Sequence, residues 1–404
     1  MLLKLLSLLA LSTALFSSPL QDAINKAKDG SIISLNAGVY EGNLLIDKSL
    51  TIEGKEDGVV IKGSGDGTVV TITSSFVTLK NLRITHSGQR HDKLDGAISM
   101  VKVTNCEINN VHIDDTLFGI DMQMVNNSKL VNNYITSQDA PIGLRGDGIR
   151  LWYSNDNLLE NNTLYKSRDI VVWYSNNNNI NKNTATYCRY SLHFMHSGKN
   201  YVRDNHFEFN SVGIFLMYSR DTVATNNLIK SSLGTTGMGI GLKDASNIVM
   251  KNNTIIYNAQ GLYIDRSPFD PGSTNVIDKN KILYNSEAIH FHSQSENNHI
   301  SQNDFKGNIE DIINDSRDVK TSKNIFSMNF YDRYEGFDRN KDGIGDTPHK
   351  EYQYADKLWL YNENVKFFYG SPVMSLLNFL AKLAPFSEPV FLFEDKNPVL
   401  SERG

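Results

Sequence analysis

Between Leu159 and Ile255 the chain keeps restarting one short phrase: an apolar residue, a polar pair ending in Asn, then a return to apolar sequence. It reads Leu159-Glu160-Asn161-Asn162-Thr163-Leu164, Ile180-Asn181-Lys182-Asn183-Thr184-Ala185, Val202-Arg203-Asp204-Asn205-His206-Phe207 and Ala224-Thr225-Asn226-Asn227-Leu228-Ile229. The repeat is 21 or 22 residues long (183 − 162, 205 − 183, 227 − 205). Units of this length cannot bury an apolar face alone, so neighbours must stack into a solenoid. Apolar residues alternate instead of recurring at helical spacing, so each unit is a coil of short strands and turns. Asn110, Asn133, Asn162, Asn183, Asn205, Asn227, Asn253, Asn280 and Asn303 are the expected ladder, each at a turn, left-handed, and bonded to the next. The longer intervals after Asn227 and Asn253 contain Gly234 to Gly237 and Pro268 to Gly272, which read as loops pushed out of single coils.

At the ends the period changes. Met1 to Ser18, with Lys4 followed by a Leu-rich run, predicts a secretory signal peptide. Leu20, Ala23, Ile24 and Ala27 follow at helical spacing and predict a cap over the open end of the solenoid, within residues 19–31. Coils are expected over 32–325, and an aromatic, Asp- and Gly-rich cap over 326–362. Residues 363–404 are expected to hold an amphipathic helix and docking tail, with Val373, Leu376, Leu377, Leu380 and Leu383 on one face and Phe386 beyond.

Aligning the strand before each phrase separates inside from outside. Ile149, Leu151, Leu192, Phe194, Ile214 and Leu216 fall inward, so the interleaved residues form two outward columns. One stacks Arg150, Val171, His193, Phe215 and, further on, His290; the other stacks Trp152, Trp173, Met195, Met217 and His292. Thioether sulfur beside imidazole suits Cu(I), so His193, Met195 and Met217, with His196 in the adjoining turn, are the candidate copper ligands. The competing reading is an apolar stripe covered by a partner. His290 and His292 form a possible second site or a pair of surface histidines. Asp338, Asn340, Asp342, Ile344 and Asp346 resemble the first half of a calcium loop, with Gly343 sixth but His349 where a bidentate Glu is usual.

A formal net charge of −5 and scattered basic residues set nucleic acid aside. Cys106 and Cys188 are expected three coils apart, too far for a disulfide. Asp114-Asp115, Asp121, Asp265-Arg266 and Lys243-Asp244 could serve a polysaccharide lyase, hydrolase or epimerase, but no arrangement dominates. A noncatalytic adaptor that binds protein through its aromatic stripe is a third possibility.

The stretch from the first helix through Gly38-Val39-Tyr40-Glu41-Gly42 to Leu50-Thr51-Ile52-Glu53-Gly54 resembles the start of pectin-lyase-like right-handed parallel β-helices. The β-helix, Asp342 to Pro348, and the tail Leu380 to Pro389 together resemble the NosD family of periplasmic maturation proteins of nitrous oxide reductase. The family implies an all-β right-handed parallel β-helix that is not an enzyme. It also implies a periplasmic location, handling of copper, which the thioether–imidazole set reads as transient Cu(I), and help in assembling the reductase's copper centres. Its implied partners are an ABC transporter membrane subunit, the reductase apo-enzyme and a copper chaperone lipoprotein, with the membrane reached only through proteins.

Overall fold

The computed structural model describes residues 18–234, 237–315, 323–353, 368, 371–383 and 390–402. The expected signal segment, apart from Ser18, and Phe386 lie outside these residues.

The chain winds as a right-handed parallel β-helix with three strands per coil. One coil runs Ile149–Trp152, Leu158–Glu160 and Thr163–Tyr165 before Asp169–Trp173 begins the next. Strands of the first kind stack into a 12-stranded sheet from Leu44–Ile46 to Glu310–Asn314. The other two kinds form neighbouring parallel columns, tied together low in the stack by the long strands Thr78–Thr85 and Glu107–Asp114. Alternation along each strand sets the core: Ile149, Leu151, Leu192, Phe194, Ile214 and Leu216 are all fully buried, as expected.

A sharp bend separates the second and third columns, and a buried asparagine stands just past it. From Asn133 through Asn162, Asn183, Asn205, Asn227, Asn253, Asn280 and Asn303 to Asn329, each Nδ2 donates to the next Oδ1 at 2.8–3.0 Å. Each Oδ1 from Asn162 onward also accepts the backbone N–H of the asparagine one coil below, as in Asn183 N to Asn205 Oδ1 at 2.8 Å. Two details of the expected ladder are corrected. The left-handed residue is the one before each asparagine, with φ of 54–57° at Asn161, Lys182, Asp204, Asn226 and Asn252. Asn110 is itself one of these bend residues (φ 53°) and lies outside, on Asn81, while Val111 fills the ladder position and donates its N–H to Asn133 Oδ1. At the far end the ladder runs into Asp395, which accepts from Asn329 N at 3.0 Å and Nδ2 at 2.9 Å. A carboxylate, which accepts without donating, suits a chain of donors all pointing one way.

Both ends are closed. The helix Pro19–Lys26, N-capped by Ser18, buries Leu20 and Ile24 against the first coil. The Gln21 side-chain amide pairs with the backbone of Leu45 in the edge strand. At the other end Val390–Asp395 pairs with His349–Gln353 and touches the last coil through Phe326, with Phe393 stacked on Phe326 at 4.3 Å. Residues 390–395, within the segment expected to hold the docking tail, thus pair with a strand of the expected cap. Within that strand the successive residues Leu392 and Phe393 are both buried.

The C-terminal helix Pro372–Leu383 exposes Val373, Leu376, Leu377, Leu380 and Leu383, the predicted face, at 42–67 %. Phe379 is exposed as well, so the apolar surface is wider than one stripe. Cys106 and Cys188 are buried free thiols, and burial pushes Cys188 up to about 12. No helix among the described residues is long and apolar enough to cross a membrane.

Candidate metal sites on the outer face

The register of the first sheet places Arg150, Val171, His193 and Phe215 on one outward column, with Gly241, Tyr263 and His290 further along. Trp152, Trp173, Met195 and Met217 form the other, continued by Lys243, Asp265 and His292. His193 is nearly buried, and its Nε2 lies 3.2 Å from Met217 Sδ. Met195 is the register partner of Met217 one coil below and follows His193 by two residues on the same face. Tyr190 meets the His193 ring edge-on at 4.8 Å and Phe215 stacks at 6.0 Å, so aromatic walls hold the imidazole in place.

Behind the imidazole lies a buried carboxylate that sequence reasoning did not single out. Asp169 Oδ2 is 3.8 Å from His193 Nδ1, and Arg189 grips the same carboxylate through Nε at 3.0 Å and through Nη2. Burial pushes Asp169 up, but His193 and Arg189 outweigh it and hold the carboxyl below its ordinary value. Nearby Asp147 goes the other way: burial and the charge of Asp169 raise it to about 7 against three arginines. His196 departs from expectation. It is the left-handed corner residue (φ 49°), and its ring stacks between Tyr174 at 5.0 Å and Tyr218 at 4.8 Å. It belongs to an aromatic ladder on the corner, which leaves His193, Met195 and Met217 as the thioether–imidazole set.

His290 and His292 are not isolated surface histidines. Asp315, just past the next strand of the sheet, places its Oδ2 3.2 Å from His290 Nε2 and 2.7 Å from His292 Nδ1. Glu287 takes the other His290 nitrogen, Nδ1, at 2.7 Å, and Tyr263 packs against both rings at 5.6 and 5.8 Å. Burial lowers the His290 pKa, but Asp315 and Glu287 outweigh it and raise it to about 9. Asp315 continues the column through His292, since Phe291 pairs with Asn314; carrying the alignment one coil further would have found it.

The remaining candidates are each tied into local hydrogen bonds or ion pairs. In the loop Asp338 to Asp346 the side-chain oxygens turn onto the loop's own amides: Asp338 accepts from Asp342 N and Gly343 N, Asp342 from Ile344 N, and Asp346 from Arg339 N. Asn340 likewise accepts from Asp342 N, and Ile344 bridges to Val399, so the arrangement is a turn docked on the C-terminal segment. The acidic residues that could serve sugar chemistry pair off separately, Asp114 with Arg83, Asp115 with His86, Asp121 with Arg150, Asp244 with Arg266, and Asp265 near Lys243.

Fold and site together define a right-handed parallel β-helix carrying sulfur and nitrogen donors on one outer sheet. A family model described as "Periplasmic copper-binding protein (NosD)" matches residues 131–336, about half of the chain, and the chain belongs to that family. A Pseudomonas aeruginosa protein named "Probable ABC transporter binding protein NosD" is 29 % identical, over 94 % of this chain and 91 % of its own. A Stutzerimonas stutzeri protein of the same name is 27 % identical, over 87 % of this chain and 83 % of its own. Among solved structures, the A-module of Azotobacter vinelandii mannuronan C-5 epimerase AlgE6 superposes with a TM-score of 0.58 over 76 % of this chain and 93 % of that one. At 15 % identity, that likeness speaks for the fold alone.

Proposed function

We propose that this protein is a noncatalytic periplasmic accessory that carries Cu(I) as cargo on His193, Met195 and Met217 during assembly of the copper centres of a nitrous oxide reductase. The observation that carries the reading is the approach of His193 Nε2 to Met217 Sδ at 3.2 Å, with Met195 in register on the neighbouring strand. Two thioethers and an imidazole are a soft donor set that suits Cu(I) over hard cations. Asp169 would hold the His193 ring from behind, so that Nε2 faces the ion. Trp173 is the register partner of Met195 one coil below, so an aromatic ring neighbours the set.

Membership of the NosD family and the names of the two relatives support the copper and transporter parts of this reading. The exposed apolar surface of Pro372–Leu383 supports docking of this helix into a groove on the transporter's membrane subunit. The test is a Cu(I) titration of the purified protein against a chromophoric Cu(I) chelator. One bound equivalent is expected, and the double variant Met195→Ala, Met217→Ala should lose it while keeping the circular dichroism of the solenoid. Binding unchanged in that variant would refute the site.

A further inference from the structure

We propose that His290, His292 and Asp315 form a second metal site, chemically unlike the first, that takes a divalent first-row transition ion. His290 and His292 stand two residues apart on one strand, and Asp315 is the next member of the His292 column, so all three project from the same face. Their ligand atoms lie within 4.8 Å of one another. A tetrahedral ion with bonds of about 2.0–2.1 Å sets its ligands roughly 3.3 Å apart. The His290–Asp315 separation of 3.2 Å already matches. The His292–Asp315 separation of 2.7 Å must open by about half an ångström, a shift for which the 44 % exposed His292 side chain has room at the surface.

The surroundings favour an ion with nitrogen and oxygen ligands. Glu287 on His290 Nδ1 fixes the ring so that Nε2 faces Asp315, the carboxylate–histidine support that metal-binding imidazoles commonly have. Glu287 itself is held by Gln260 Nε2 at 2.9 Å. No sulfur belongs to this group, so a soft monovalent ion has no advantage here, while two imidazoles and a carboxylate suit Zn(II) or Cu(II). Three protein ligands leave a coordination position open to water or an exchanging ligand. Four coils separate this site from His193, roughly 20 Å at the usual strand spacing, so each can fill without the other.

The site stands independently of the Cu(I) reading, and one experiment separates them. Zn(II) is titrated calorimetrically into the full chain at pH 7.5, in wild type, His292→Gln, the His290→Gln, His292→Gln double variant, and the Met195→Ala, Met217→Ala variant. One equivalent is expected in wild type and in the methionine variant, with affinity at least about tenfold weaker in His292→Gln and binding absent in the histidine double variant. Cu(II) bound at the wild-type site should show two-nitrogen hyperfine coupling by electron paramagnetic resonance, and His292→Gln, whose exposed position spares the fold, should lose one nitrogen. Absence of Zn(II) binding in wild type, or its persistence in the histidine double variant, overturns the proposal. Either result leaves the Cu(I) titration of the same proteins unaffected.

Discussion

Replacing Asn205 by Ala tests whether the asparagine ladder or the apolar core alone holds neighbouring coils in register. Asn205 Oδ1 accepts from Asn183 N at 2.8 Å and from Asn183 Nδ2 at 3.0 Å. Its Nδ2 donates to Ile180 O at 2.9 Å and to Asn227 Oδ1 at 2.8 Å. Alanine removes all four bonds. Asn227 Oδ1 keeps the backbone N–H of residue 205, and Asn183 Nδ2 keeps Leu159 O, so two N–H groups of Asn183 are left buried without an acceptor. Each orphaned donor costs about 1–3 kcal/mol, so the expected loss is roughly 2–6 kcal/mol. Asn205→Asp should be worse despite its shape, because it loses both donors and turns a carboxylate towards Asn227 Oδ1. Urea unfolding followed by circular dichroism reads both variants, with hydrogen exchange at Asn183 as a local probe. A loss below about 1 kcal/mol for Asn205→Ala, or an aspartate variant as stable as wild type, would refute the role given to the ladder.

Two further outcomes follow from the caps and the helix. Burial, with Glu351 nearby, raises the Asp311 pKa to about 8, and one of its oxygens has no partner. The folded form therefore prefers the protonated acid, and stability is lost as pH rises from the unfolded value of about 4 towards 8. Asp311→Asn should raise the melting temperature little at pH 5 and most at pH 8.5, and a pH-independent difference between the two proteins would count against it. Leu376→Glu with Leu380→Glu, both exposed on the C-terminal helix, should leave thermal unfolding of the solenoid unchanged but abolish co-purification with the transporter's membrane subunit. Undiminished co-purification would remove the helix from the interface.

The solenoid was legible because its signal is repeated many times over, and the same alignment separated core from outer face at Leu192, His193, Phe194 and Met195. Where the reading slipped, a local event broke the repeat. At Asn110 the phrase is present but shifted by one residue, because that asparagine makes the bend itself and Val111 takes the ladder position. Asp169, which supports His193, sits one coil earlier beside a register shift between Asp169 and Val171, so counting along the column does not reach it. Arg189 lies in the corner before the strand Tyr190–Met195 and Tyr190 opens that strand beside the same register shift, so simple alternation gives no direction there. Val390–Asp395 opens with four consecutive apolar residues, and its partners His349–Gln353 and Phe326 are far away in sequence, so neither alternation nor period marked it as a strand of the cap.

The closing of the ladder by Asp395 gives the molecule a built-in test of completeness. The acceptor for the last asparagine lies 66 residues beyond it, so coils that stack as the chain emerges must wait with Asn329 unanswered and Phe326 and Tyr331 uncovered. A product cut short before Val390 would be a nearly finished solenoid with a sticky, unsatisfied rim, open to proteases and to end-to-end association. Only a chain that extends through Asp395 brings its own lid.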